Sequence, residues 1–140
     1  MLRLDTNTRI HGPAVVLTVT GEVDLATASI LAKDLDTAMR SSPAAVVVDL
    51  SGVDFLASVG MSVLIATRDK AQGATTLAVV AVGPFTRRPM ELVGLDAVIP
   101  IYSDLEAALA SIDTAREDVT HLTDLIRPGI DEPDRQEGIA

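Results

Sequence analysis

Apolar and polar residues alternate with period two at Leu2-Arg3-Leu4-Asp5 and again at Val15, Leu17 and Val19, with Gly12-Pro13 between the two runs. That period puts every second side chain on one face, so the pattern predicts two half-buried strands joined by a turn. Gly21-Glu22-Val23-Asp24 breaks the alternation. Asp24 is placed to act as a helix N-cap, its carboxylate accepting from first-turn N–H groups. Leu25, Ala28, Leu31, Leu35 and Ala38 or Met39 then follow at spacings of three and four, one apolar face of a helix.

Ser41-Ser42-Pro43 ends that helix, and Ala44 to Leu50 is an apolar run interrupted only by Asp49. Such a run predicts a strand covered on both faces. Ser51-Gly52-Val53-Asp54-Phe55-Leu56-Ala57 reads as a turn. A helix is expected from Ser58 to about Ala71, with Met61, Leu64 and Ile65 on its inner side and Gly73 just past its end. Thr76 to Val82 reads as a second buried strand, closed by Gly83-Pro84. A short helix starts near Thr86, with Pro89 tolerated in its first turn, where N–H groups have no helical partner. Gly94-Leu95 has the form of a left-handed cap followed by its hydrophobic contact.

Val98-Ile99-Pro100-Ile101 predicts a short strand, and the proline places it at a sheet edge or a strand end. Ser103-Asp104-Leu105-Glu106 has the spacing of a capping box. Leu105, Ala108, Leu109 and Ile112 continue it as the inner stripe of a last helix packed on the core. Beyond that, Leu122, Leu125 and Ile126 suggest a brief helical turn cut short by Pro128-Gly129, and residues 129–140 read as disordered. Strands alternating with helices after an opening hairpin imply an α/β fold, a single domain with a mixed four- to five-stranded sheet and helices packed mainly on one face.

Composition narrows the chemistry. With 140 residues, one compact domain is expected. One Tyr, two Phe and no Trp make its core aliphatic. The absence of cysteine removes disulfides, thiolate metal sites and cysteine nucleophiles, and two distant histidines, His11 and His121, offer no metal pair. The net charge of -9 argues against a direct nucleic-acid partner. Residues 113–140 carry eight acids and three arginines, a net -5, so the acidity is concentrated in the tail. Neither a secretory signal nor an apolar run of membrane-spanning length is evident, and the expectation is a cytoplasmic protein without a membrane partner.

The stretch Asp49 to Leu64, D-L-S-G-V-D-F-L-A-S-V-G-M-S-V-L, is the most specific in the chain. A buried strand ends, the chain turns, and Ser58 arrives at a helix start, where first-turn N–H groups and the positive end of the helix dipole can accept a phosphoryl group. Gly60 is expected to leave that first turn bare for close approach by a partner. Read from spacing alone, Ser58 is equally an ordinary N-cap, Asp24 a helix cap, Asp54 a solvated turn residue, and Asp49 an acceptor for turn N–H groups. Ser51 and Ser62 are competing hydroxyls, Met61 belongs to the core or its rim, and Arg87-Arg88 to a solvated face.

This stretch resembles the STAS domain of anti-sigma factor antagonists, whose pattern D-x-S-x-V-x-F-x-D-S-x-G is matched by Asp49, Ser51, Val53, Phe55, Ser58 and Gly60. Gly21-Glu22-Val23-Asp24 is similar to the family's G-E-x-D loop, and Glu91-Leu92-Val93-Gly94-Leu95-Asp96 to its L-E-L-x-G-L-D helix end. Ile99-Pro100-Ile101-Tyr102 and Leu105-Glu106-Ala107-Ala108-Leu109 resemble its closing strand and helix. The likeness covers about residues 2–112, a STAS domain taken as 1–112 with an acidic, flexible tail at 113–140. Two positions depart from the pattern: Ala57 stands where the family often has Asp, and Val59 where it often has Ser or Thr.

The resemblance implies a regulator without catalytic residues, cofactor or metal. Ser58 is the phosphoacceptor, and Asp24, Thr27, Asp54, Ala57, Val59, Gly60 and Met61 form the partner-binding surface. The implied partner is an anti-sigma factor with a histidine-kinase-like ATP-binding fold that acts as a serine kinase, opposed by a serine phosphatase, and the chain is expected to be a monomer on its own. Two other readings stay open at this level: a sensory or scaffold STAS module that binds a nucleotide or small ligand, and an antagonist that phosphorylation does not regulate.

Overall fold

The computed structural model describes residues 3–115. Main-chain packing divides the chain into two units, Met1–Leu109 and Ala110–Ala140. In the second unit, residues 110–115 are helical. The acidic tail, with Leu122, Leu125 and Ile126, lies almost wholly outside the described residues, as do Leu2 and His121.

The first unit carries β1 (Leu4–His11), β2 (Ala14–Val23), α1 (Ala28–Met39), β3 (Ala45–Leu56), α2 (Ser58–Ala71), β4 (Thr76–Val80), α3 (Arg87–Leu92), a 3-10 turn (Leu95–Ala97) and β5 (Ile101–Tyr102), and a last helix, α4, begins at Leu105. One five-stranded sheet runs in the order β1-β2-β3-β4-β5. β1 and β2 form the antiparallel hairpin turned at Gly12-Pro13, and every other neighbouring pair is parallel. The mixed sheet of the α/β class follows directly from the order of apolar runs in the sequence.

α1 and α2 pack on each other and on the sheet, and the core between them is aliphatic: Leu17, Val19 and Val23 from β2, Leu31 and Leu35 from α1, Val46, Val48 and Leu50 from β3, Leu64 from α2 and Val79 from β4. Val47, Val16 and Val80 point the other way and are buried too, so β3 is covered on both faces as its continuous apolar run predicts.

Several expected boundaries move. β2 does not stop at Gly21 but runs to Val23. β3 does not stop at Leu50 either; the stretch 51–56, read as a turn, is strand paired to β2. Two register shifts make this possible. Thr18 pairs with Asp49 and Thr20 with Gly52, then Gly21 pairs with Val53 and Glu22 with Phe55, so β3 twice carries one residue more than its partner. Each bulge reverses the facing of the residues after it. Val53 and Leu56 therefore both turn into the core behind Leu50, and Phe55 turns out. The Ser, Gly and Asp that resemble a turn are the residues that absorb the bulges.

β4 ends at Val80 and leaves Val82 exposed, and β5 is the pair Ile101–Tyr102 at the sheet edge, one residue after Pro100. α2 spans Ser58–Ala71 as expected, but Ile65 lies on its outer side. Gly94 takes φ +80° with Leu95 buried behind it, as the cap pattern predicts, and the following 3-10 turn was not legible in the sequence. At the last helix Asp104, not Ser103, is the cap: its Oδ1 accepts from the Ala107 N–H at 2.7 Å, and the Ser103 hydroxyl instead meets Arg87 at 3.2 Å.

Candidate functional site

β2 and β3 reach further than the rest of the sheet. The last β3 residue paired to β4 is Asp49, opposite Val80, so Leu50–Leu56 pair only with β2 among the described residues. The tip of this two-strand extension is closed by the Ala57 N–H donating to the Val23 carbonyl at 2.8 Å, which sets the turn after β2 beside the start of α2.

On the β2 side, Asp24 and Thr27 build a tight turn. Asp24 Oδ1 accepts from the N–H groups of Ala26 and Thr27 at 3.0 and 3.1 Å. The Thr27 hydroxyl accepts the Asp24 N–H at 3.0 Å and donates to the Glu22 carbonyl at 2.7 Å. Asp24 thus caps a single turn rather than α1 itself, whose N-cap is Thr27. The helix starts three residues later than the apolar spacing suggests, and Leu25 is not on the buried face at all: it is 85% exposed.

Arg3 completes this side, pairing with Glu22 at 3.0 Å and Asp24 at 3.1 Å. It was missed among the candidate residues, although counting back from the Gly12-Pro13 turn places Arg3 opposite Glu22. The Asp24 carboxylate is therefore charge-matched within the fold.

On the β3 side, Asp49 Oδ1 accepts from both the N–H and the hydroxyl of Ser51, at 3.0 and 2.6 Å, and so ties down the first bulge. This is the bonding to nearby N–H groups expected of Asp49. Asp54 sits at the second bulge, exposed and without an ion-pair partner among the described residues. Phe55 beside it is 49% exposed. Two large apolar side chains, Leu25 and Phe55, therefore stand in water at the same tip, and sequence reasoning selected neither as a contact residue.

Ser58 opens α2. The N-cap is Ala57, in extended conformation and with no side chain to cap, so Ser58 is the first helical residue and not the cap. Its side chain is exposed, and its hydroxyl has no hydrogen-bond partner among the described residues. Gly60 and Met61 N–H groups turn back to the Ala57 carbonyl at 2.9 and 3.4 Å, which leaves the N–H groups of Ser58 and Val59 unpaired within the described chain. These, with the helix dipole, make the position tolerant of negative charge. The rival hydroxyls are committed: Ser51 to Asp49, and Ser62 to the Ser58 carbonyl at 3.2 Å.

The expected contact set divides. Asp24, Asp54, Ala57 and Val59 are exposed or half-buried, whereas Thr27, Gly60 and Met61 are buried. Gly60 does not bare the helix for a partner. It faces inward, where a Cβ would lie 2.6 Å from Val23 Cγ1 and 2.7 Å from Leu56 Cδ1, so glycine is what lets α2 lie against the strand ends. Thr27 braces the turn, and Met61 joins the core. Among the described residues there is no cluster of His, Asp or Glu able to hold a metal, and no helix long and apolar enough to cross a membrane.

A two-strand tip ending in a free serine at a helix start, on a hairpin-plus-parallel α/β sheet, is the arrangement of a STAS domain. The family model for the STAS domain matches residues 5–108, and the chain belongs to this family. Among curated relatives it is similar to the anti-sigma-F factor antagonist RsfB of Mycobacterium tuberculosis, 41% identical over 108 residues, 77% of this chain and 88% of the relative. Among solved structures it is similar to an anti-sigma factor antagonist from Mycobacterium paratuberculosis, 42% identical, with a TM-score of 0.76 over 79% of this chain and 94% of that one. The unphosphorylated form of the anti-sigma factor antagonist SpoIIAA shares the fold at 16% identity, with a TM-score of 0.64 over 81% of this chain and 97% of that one.

Proposed function

We propose that this chain is an anti-sigma factor antagonist that docks the β2–β3 tip onto an anti-sigma factor, and that a phosphate on Ser58 switches the docking off. Family membership and relatives named for this role at 41% and 42% identity support the first part. The observation that carries the second is the exposed Ser58 hydroxyl at the first position of α2, without a hydrogen-bond partner among the described residues and close in sequence to the exposed Asp54 and Phe55.

In this reading the unmodified tip buries Leu25 and Phe55 in the partner, each contributing about 1.5–3 kcal/mol when fully covered. The partner, a serine kinase, transfers the γ-phosphoryl group of ATP to Ser58 Oγ. The P–O bond to ADP breaks, the new ester P–O bond forms, and the hydroxyl proton is released. The ester carries a charge of about -1.5 to -2. Within the free chain the Ser58 and Val59 N–H groups and the dipole of α2 accommodate it. In the complex it is desolvated beside Asp54, whose charge nothing in the described chain offsets, and an unpaired buried charge costs several kcal/mol. A serine phosphatase resets the switch by hydrolysing the ester. The module itself needs only to bind, and we read it as a regulator, not an enzyme.

The test is titration calorimetry with the anti-sigma factor, with and without ATP. Ser58→Ala is expected to bind as the unmodified protein does and to ignore ATP. Ser58→Glu is expected to bind at least ~100-fold more weakly. If neither variant differs from the wild type and ATP changes nothing, Ser58 is not the switch; if no form binds, the antagonist reading fails.

A further inference from the structure

We propose that the free edge of β1 pairs antiparallel with β1 of a second copy of this chain, in the register that sets Asp5 opposite Arg9. β1 is an eight-residue outer strand whose pairing with β2 is unbroken from Leu4 to His11, and among the described residues nothing pairs with its other side. Proteins usually blunt such an edge with proline, lysine, a bulge or a very short strand. The sequence LDTNTRIH has none of these, and its two charged side chains, Asp5 and Arg9, are of opposite sign and can pair across a two-fold axis. It is rich in the threonine and isoleucine that favour strand pairing.

The direction of the main-chain groups follows from the hairpin. The Glu22 N–H donates to the Arg3 carbonyl at 2.8 Å, and Arg3 opposite Glu22 continues the unbroken register of the pair. Hydrogen-bonded and non-bonded pairs alternate in an antiparallel ladder. Odd-numbered residues of β1 therefore bond to β2, and the N–H and C=O groups of Leu4, Thr6, Thr8 and Ile10 point out of the edge.

Charge selects the register. A two-fold pairing must keep the helix-covered faces of both sheets together, so even positions meet even and odd meet odd. Centred on Asn7, the pairing opposes Asp5 to Arg9 twice, Thr6 to Thr8 twice and Leu4 to Ile10 twice. Shifting the centre to Thr6 opposes Arg3 to Arg9, and shifting it to Thr8 sets Asp5 opposite His11 and leaves Arg9 opposite the uncharged Asn7. Only the Asn7-centred register satisfies both charges, and it also covers Ile10, which is 80% exposed at this edge. The net charge of -9 works against self-association at long range. β1 carries one acid and one base, so the acidic excess lies elsewhere and the edge is free of it.

The chain has no cysteine, so a single introduced thiol reports one contact. In the proposed register Asn7 faces its own copy as a non-bonded pair, with Cα atoms about 4.5 Å apart, inside disulfide range. The experiment is sedimentation of the full chain together with mild oxidation of Asn7→Cys and Thr8→Cys. Expected is a concentration-dependent dimer, and disulfide formation at position 7 at least ~10-fold faster than at position 8, which opposes position 6. Asp5→Arg weakens the dimer roughly tenfold or more, because two attractive pairs become repulsive. Asp5→Arg combined with Arg9→Asp restores it to within about threefold, since the pairs are merely exchanged. Both residues are exposed, and circular dichroism checks that each variant is folded. A monomer up to hundreds of micromolar, a dimer in which position 7 cross-links no faster than position 8, or failure of the exchange to restore dimerisation would each overturn the proposal.

Discussion

Asp24 and Thr27 hold each other: the Thr27 hydroxyl accepts the Asp24 N–H at 3.0 Å, and the Asp24 carboxylate accepts the Thr27 N–H at 3.1 Å. The same hydroxyl donates to the Glu22 carbonyl, so one buried oxygen accepts from one residue of the tip turn and donates to another. Thr27→Val keeps the shape and strands the Asp24 N–H and the Glu22 carbonyl. We expect a loss of about 1–3 kcal/mol in urea unfolding, with Thr27→Ser recovering most of it. Partner affinity should fall with Thr27→Val although Thr27 is buried, because Leu25 is carried on that turn.

Gly60 sits where a methyl group would meet Val23 and Leu56 below 3 Å. Gly60→Ala gains up to about 1 kcal/mol of helix propensity and loses about 1–3 kcal/mol to overpacking, for a net destabilisation. The check is a double-mutant cycle with Val23→Ala. Removing the Val23 γ-methyl groups makes room, so the double variant should be more stable than the sum of the single losses.

Leu25 and Phe55 present the converse case. Both are exposed, so Leu25→Ser and Phe55→Ser should leave the midpoint of unfolding within the range of ordinary surface changes, about 0.5 kcal/mol. Affinity for the anti-sigma factor should drop at least tenfold for each, read by calorimetry beside the stability measurement. Unchanged affinity for both would place the docking surface elsewhere.

Asp49→Ala releases the first bulge of β3 by removing the acceptor for the Ser51 N–H and hydroxyl. We expect a loss of about 1–2 kcal/mol, felt unevenly. Amide hydrogen exchange should accelerate at 51–56, which pair only with β2, more than at 46–48, which are held between β2 and β4.

Periodicity carried most of the architecture. The alternation at Leu4 and at Val15–Val19, the apolar runs at 44–50 and 76–82, and the stripe Ala28-Leu31-Leu35-Ala38 lie in strands and a helix as they predict, although β4 stops at Val80 and β2 is buried on both faces from Val15 to Leu17 rather than on one. Ser58 was legible as the residue where a strand hands over to a helix, and α2 has the expected bounds. The motif spacing that carried the resemblance to the STAS domain lies in the same local stretch.

What the chain pattern could not reveal depends on pairing across the sheet. Ser51-Gly52-Val53-Asp54 has turn chemistry, and only the β2 partner turns it into a strand with two bulges, which bring Val53 and Leu56 inward and put Phe55 outside. Leu25 fits a helical stripe by spacing, yet the bonds among Asp24, Thr27 and Glu22 delay the helix and leave it in water. Gly60 reads as an opening for a partner until Val23 and Leu56 are placed beneath it. Local sequence therefore determined which elements form and where the serine stands. The tertiary structure decided which side chains surround it, because facing at a bulge or a helix start is set by contacts between segments distant in the chain.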